Sequence, residues 1–331
     1  MSNERDESLV PVFMPKLGLL LADFERKKGE ALREQEVIEA TDNAVCIMLP
    51  KEVVDKSPQD FPDVNPKDPW VDWHRVRPQY MGTEVPAFVF SIPCKKPEVE
   101  KIKATLAEYK FEIEEAGRNS DFMRKYTNCI STFEPGATRE EIDSIATHEV
   151  CISGFGPQFI ADQALGYARD SLQLANSLFE SGALAVYCDS DYQTHSRAVW
   201  KQLAERNQSD EKDKNVVALV EAFMQPRLKE DNDYLSCGLH LLGSPDLIID
   251  ATTLEQATGN SDNLEGQAQR LFRVLAHYLL TEGKARGFYN RNTFSASEDA
   301  PKFRLIWEAC TYPHYSIVFN PFGRWRLHGS D

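Results

Sequence analysis

"VCISGFGPQFIADQALGYA", residues 150–168, runs from an apolar strand pattern through a Gly-x-Gly turn into a helical pattern. If Gly154-Phe155-Gly156 cradles a phosphate, the chain has a nucleotide-dependent activity; if it is a tight corner, the stretch is one strand-turn-helix unit among several. A dinucleotide fingerprint needs a third small residue where the helix packs on the strand, but Phe159 stands three positions after Gly156. No Lys-Ser/Thr pair opens the helix as a P-loop would. Pro157 suits a first helical turn, where its missing N–H costs nothing, and it withholds one of the amides a phosphate would use. The corner reading follows.

The helix after the corner is expected over 157–181. Ala161, Leu165, Ala168, Leu172, Ala175 and Phe179 recur every three or four residues on one stripe, and Gly182 stands where a C-terminal cap belongs. Upstream, "PAFVFSI" reads as a strand, "KPEVEKIKATLAEY" as a helix, "FEIEEA" and "YTNCISTF" as strands and "TREEIDSIAT" as a helix. Downstream, "ALAVYCD" reads as a strand, "THSRAVWKQLAER" as a helix and "NQSDEKDKN" as a charged loop. "VVALVEAFMQ", "YLSCGLHLLG" and "LIID" then read as strands, residues 264–282 as a helix, and "KFRLIWEAC", "YSIVF" and "RWRLH" as terminal strands with "NPFG" as a turn.

Residues 10–49 read as two helices broken near Gly29. The five prolines of "KSPQDFPDVNPKDPWVDWHRVRP" argue against regular structure there. The expectation is an α+β protein: a mixed β-sheet with helices packed on it, preceded by a helical N-terminal segment with a Pro-rich acidic loop over 1–84. The α+β domain fills 85–331, with room for two packed subdomains at 85–207 and 215–331.

The chain has 331 residues, 42% of them hydrophobic and 27% charged, which is too apolar for disorder. Its 37 Lys and Arg against 52 Asp and Glu give a net charge of −15, which repels nucleic acid and anionic membranes. No apolar run is long enough to cross a bilayer, and the charged N-terminus does not read as a secretory signal. Seven scattered cysteines suggest reduced thiols in a cytoplasm, and no CxxC, HxH or HExxH spacing occurs, so neither a metal nor another cofactor is expected.

"SLFESGALAVYCDSDYQTHS", "HLLGSPDLIID" and "YSIVFNPFGRWRL" together resemble an uncharacterised bacterial family, catalogued only as a domain of unknown function, over the second half of the chain. The resemblance implies an α+β fold and a bacterial source, with no activity attached.

The densest polar cluster is "CDSDYQTHS", residues 188–196, after an apolar strand. Asp189, Asp191 and His195 there form a candidate carboxylate-oriented imidazole for hydrolysis. Capping and turn chemistry account for the same residues: Asp189 and Ser190 make a turn, Thr194 caps the next helix, and His195 is exposed on its first turn. Cys151 or Cys188 with His148, His195 or His240 is a weaker nucleophile-base arrangement, since thiols in apolar strands are ordinarily inert. No GxSxG elbow marks a serine nucleophile. The aromatic terminus, with Trp307, Tyr312, His314, Tyr315, Phe319, Phe322 and Trp325, fills a last hairpin or marks an interface. The sequence thus favours a non-catalytic protein that binds a protein partner or small ligand, with a hydrolase as the alternative.

Overall fold

The computed structural model describes residues 9–29, 31–50, 63–81, 85–208, 212–283, 290–312, 316 and 318–329. The chain divides into two compact units, Met1–Val85 and Pro86–Asp331.

The first unit pairs strands β1 (Leu9–Phe13) and β2 (Cys46–Pro50) antiparallel and carries helices α1 (Leu17–Lys28), α2 (Glu34–Asp42) and α3 (Pro69–Met81). Leu17, Leu21, Val37, Trp73, Val76 and Tyr80 make its core. Two expectations fail here. The second helix does not run on through 49: the side chains of Thr41 and Asn43 donate to the carbonyls of Val37 and Glu39, closing the helix, and the apolar "CIMLP" pairs as β2. The proline-rich stretch becomes helical from Pro69, with Pro78 inside α3. Burying Trp73, Val76 and Tyr80 outweighs the roughly 3 kcal/mol that an interior proline costs a helix. Residues 56–62 of that stretch lie outside the described residues.

The second unit holds two sheets. The first is antiparallel throughout, in the order β4-β5-β3-β6-β7: β3 (Val89–Cys94), β4 (Glu112–Gly117), β5 (Val150–Phe155), β6 (Tyr187–Cys188) and β7 (Gln193–Thr194). The other is mixed, in the order β11-β12-β13-β10-β9-β8: β8 (Gln225–Glu230), β9 (Asp233–Cys237), β10 (Asp246–Asp250), β11 (Thr293–Ser295), β12 (Lys302–Glu308) and β13 (Arg324–Gly329). In it β10 and β13 run parallel. Helices α4 (Val99–Glu108), α5 (Phe122–Cys129), α6 (Arg139–Ala146), α7 (Ala164–Glu180), α8 (Arg197–Asn207), α9 (Lys212–Phe223), α10 (Ala251–Thr258) and α11 (Leu264–Tyr278) accompany them. Helix α7 packs on α4, α8 and α9, and α9 on α11, so the fold is α+β.

Several elements differ from the expectation. "YTNCISTF" contributes the end of α5, and "VVALVEAF" lies in α9, which packs on α8, with Val216 and Val220 buried rather than paired in a ladder. The apolar run before Cys188 forms a strand only over Tyr187–Cys188. Of the "YSIVF" segment, residues 315 and 317 lie outside the described residues, and Ser316, Val318 and Phe319 form turn and irregular structure instead of the expected strand. Trp307 and Trp325 are buried in the terminal strands and Phe322 in the turn before β13, so they serve as core.

The opening stretch is a corner, for a reason the sequence only partly suggests. Helix α7 starts at Ala164, so Pro157 precedes it by more than a turn. Neither Gly154 nor Gly156 has a positive φ. Both sit against side chains: an added Cβ would stand 2.8 Å from Leu106 Cδ2 at Gly154, and 2.9 Å from Phe111 Cζ at Gly156. The Gly156 amide donates to the Phe88 carbonyl at 2.7 Å and that of Phe159 to Pro86 at 3.0 Å, so both are engaged within the fold. Gly182, with φ 99°, does follow the end of α7. In that helix Ala168, Leu172, Ala175 and Phe179 are buried, while Leu165 is half-buried.

Candidate functional site

The hairpin β6–β7 carries the three sequence candidates, and the structure sends them to different surroundings. Asp189 Oδ2 accepts from Ser91 Oγ at 2.6 Å, and Lys125 Nζ stands 3.4 Å from Oδ1. Ser190 Oγ accepts from the Val89 amide and donates to the Ala87 carbonyl, tying the turn to the start of β3. Asp191 is wholly buried and accepts from the Gln193 amide at 3.0 Å, an Asx turn that shapes the hairpin. Burial pushes the carboxyls of both aspartates up, that of Asp191 far up.

His195 is buried too, not exposed on a helical turn. Its Nδ1 lies 2.6 Å from Ser131 Oγ and its Nε2 3.1 Å from the Ala222 carbonyl. Nε2 also lies 2.9 Å from Gln193 Nε2: with the proton on Nε2 it donates to the Ala222 carbonyl and Nδ1 accepts from the Ser131 hydroxyl, whereas with the proton on Nδ1 the imidazole donates to Ser131 and Nε2 accepts from Gln193. Burial among Phe133 and Trp200 pushes the imidazole down to about 4. Among the described residues no hydrogen bond joins His195 to Asp189 or Asp191, so the three do not form a charge-oriented base. The cap of α8 is Ser196, whose Oγ accepts from the Val199 amide; Thr194 instead donates to the Val186 carbonyl.

Ser131 and Arg273 are the functional candidates that sequence reasoning missed. A crevice of about 20 Å³, room for about one water, is lined by Ser131, Phe133, Gln193, Gln225 and Arg273. Arg273 lies over the Phe133 ring at 4.9 Å. Ser131 is held there by its amide, which donates to the Thr194 carbonyl at 2.9 Å across 63 residues of sequence (194 − 131 = 63). In the tautomer protonated on Nε2 the Ser131–His195 hydrogen bond has the sense of a nucleophile and its base, with a backbone carbonyl where a carboxylate would orient the imidazole.

The motifs of the second half meet in a buried polar cluster. Asp246 accepts from Ser236 Oγ at 3.1 Å, the Leu239 amide at 3.2 Å and Asn320 Nδ2 at 2.8 Å, and Asn320 also donates to the Ser244 carbonyl. "GSPD" and "NPFG" thereby lock β10 beside β13. Burial pushes the Asp246 carboxyl up to about 7. The thiol candidates are buried as well: Cys151 is pushed up to about 11 and Cys188 well above the usual thiol range. His148 is engaged with the Ile145 carbonyl and the Asn119 amide. Among the described residues no three His, Cys, Asp or Glu side chains converge as metal ligands.

Two larger concavities are open. In the second unit, about 550 Å³ is lined by Leu254, Leu271, Val274, Pro301 and Phe303, with Asp262 and Arg270 also at its wall. In the first unit, about 440 Å³ is lined by Met14, Leu20, Phe24, Ala44 and Val45, with Glu36 and Glu39. No helix among the described residues is long and apolar enough to cross a membrane. No family model, curated protein or solved structure matches the chain.

Proposed function

We propose that the chain is a non-catalytic interaction protein of the bacterial cytoplasm that meets a protein partner through its first unit. One observation carries this reading. Met14, Leu19, Phe24, Val45, Ile47 and Met48 are all exposed within this one unit, whereas isolated apolar residues are what a monomer's surface ordinarily shows. Seven cysteines, none of them in a disulfide, suit a reducing compartment.

A hydrolase is the second reading, favoured by the 2.6 Å contact between Ser131 and His195. An imidazole pushed down to about 4 is a weak base, and a crevice the size of one water admits no substrate without opening.

A photoreactive residue at position 45 in cells tests the first reading. It should give one discrete, saturable cross-linked species, which the same residue in place of the exposed Glu265 does not give. Turnover of an ester, amide or phosphoester panel that disappears in Ser131→Ala at unchanged melting temperature would overturn it in favour of hydrolysis.

A further inference from the structure

The hairpin of the first unit has two unequal edges. The Met14 amide donates to the Val45 carbonyl, and the register pairs Val12 with Ile47 and Val10 with Leu49. Antiparallel pairs alternate between bonded and non-bonded, so Val45, Ile47 and Leu49 turn their backbone groups toward β1. Cys46 and Met48 turn theirs away from it. On β1 the outward positions are Leu9, Pro11 and Phe13, and the central one, Pro11, has no N–H to offer, so that edge is blunted in its middle. The β2 edge carries its proline, Pro50, only at its last residue, which leaves Cys46 and Met48 with both N–H and C=O outward, and among the described residues no third strand covers it.

The exposed edge is also apolar on both faces. Val45 is 71% exposed, Ile47 43% and Met48 53%, and Cys46 and Pro50 are exposed as well. Residues 44–50 carry no charge in a chain whose net charge is −15. A second copy would be repelled over most of such a surface, and an uncharged strand is where one is tolerated. A basic partner would find no acid on this strand to hold it. Glu36 and Glu39 line a groove that meets the segment only at Ala44 and Val45.

We propose that β2 pairs antiparallel with β2 of a second copy of this chain, joining two hairpins into one four-stranded sheet. The inference rests on the interaction reading and names its partner. A two-fold axis at Ile47 sets Cys46 opposite Met48 of the partner subunit, and every outward N–H and C=O of those two residues is then used. An axis at Met48 would set Cys46 opposite Pro50 of the partner subunit, which lacks the donor for one carbonyl. The Ile47 side chains face each other across a close, non-hydrogen-bonded pair and bury the apolar surface each hairpin exposes alone.

The test is sedimentation of the full-length chain over a range of concentrations, beside two variants. Met48→Pro removes an N–H that the hairpin does not use internally, so the melting temperature holds while the dimer is lost. Ile47→Cys in a Cys46→Ser background should oxidise to a covalent dimer, because a close non-bonded pair has the spacing a disulfide needs. A monomer at every concentration, or a dimer that survives Met48→Pro with no cross-link through position 47, overturns the proposal. If the adduct at position 45 is a different protein, self-pairing falls while the interaction reading stands. Ser131-dependent turnover is what would bring down the interaction reading.

Discussion

Replacing Gly156 with alanine tests why the Gly-x-Gly corner exists. An alanine Cβ there would stand 2.9 Å from Phe111 Cζ and 3.0 Å from the Phe88 carbonyl oxygen. The ring is buried and stacks on Phe90 at 5.8 Å, and the oxygen is held by the Gly156 amide itself at 2.7 Å. Neither neighbour can recede cheaply. Overpacking of this kind costs about 1–3 kcal/mol. Because φ at Gly156 is not positive, the lost freedom of the unfolded chain returns about 0.4–1 kcal/mol. The net loss should be about 1–2 kcal/mol. At Gly154 the nearest atom is the end of the Leu106 side chain, which can turn aside, so Gly154→Ala should come out near neutral. Urea titration reads both as midpoint shifts at constant slope. If Gly154→Ala proved the more damaging, or if millimolar ATP, NAD or phosphate raised the melting temperature only while Gly156 was intact, close packing would be the wrong reason for these glycines.

Leu172, wholly buried in α7, should cost about 2–5 kcal/mol when cut to alanine, measured by the same titration. All seven cysteines should be reduced, so intact mass should not change on adding reductant. Asp246, pushed up to about 7, keeps its proton in the folded chain where an unfolded aspartate, near about 3.9, has lost it. Its contribution to stability therefore falls as pH rises from about 4 to about 7, and wild-type stability minus that of Asp246→Asn should decline across that window. His195 has the opposite sign: with its imidazole pushed down to about 4, folding is penalised as pH falls below about 6.5, and His195→Gln should flatten that acid limb in a pH series of melting curves.

What the sequence discloses depends on how local the cause is. Helices α4, α6 and α11 and strand β12 follow from apolar period, because each buries one face and the period marks it, while β5 and β13 follow from short apolar runs bounded by turn residues. Helix α9 is hidden because it is buried along much of its length: Val216, Ala218, Leu219, Val220, Ala222 and Phe223 leave no polar face to reveal a helical period. Helix α3 is hidden because Pro78 speaks against it locally, while the burial of Trp73, which decides the matter, is tertiary. The candidate site divides in the same way. His195 stands out in a polar cluster after an apolar run, and the Asx turn of Asp191 is a two-residue affair that sequence can suggest. The partner of His195 cannot be read, because Ser131 is 64 residues away and reaches the imidazole only through an amide bonded to the far strand of the hairpin. Local chemistry drew attention to Asp189 and Asp191, and the fold turned the histidine away from both. The β2 edge lies between these cases. Its apolar run is visible in the sequence, but a run of that kind fits a helix's buried face equally well. Only the pairing with β1, and the parity that turns Pro11 outward, makes it an open edge.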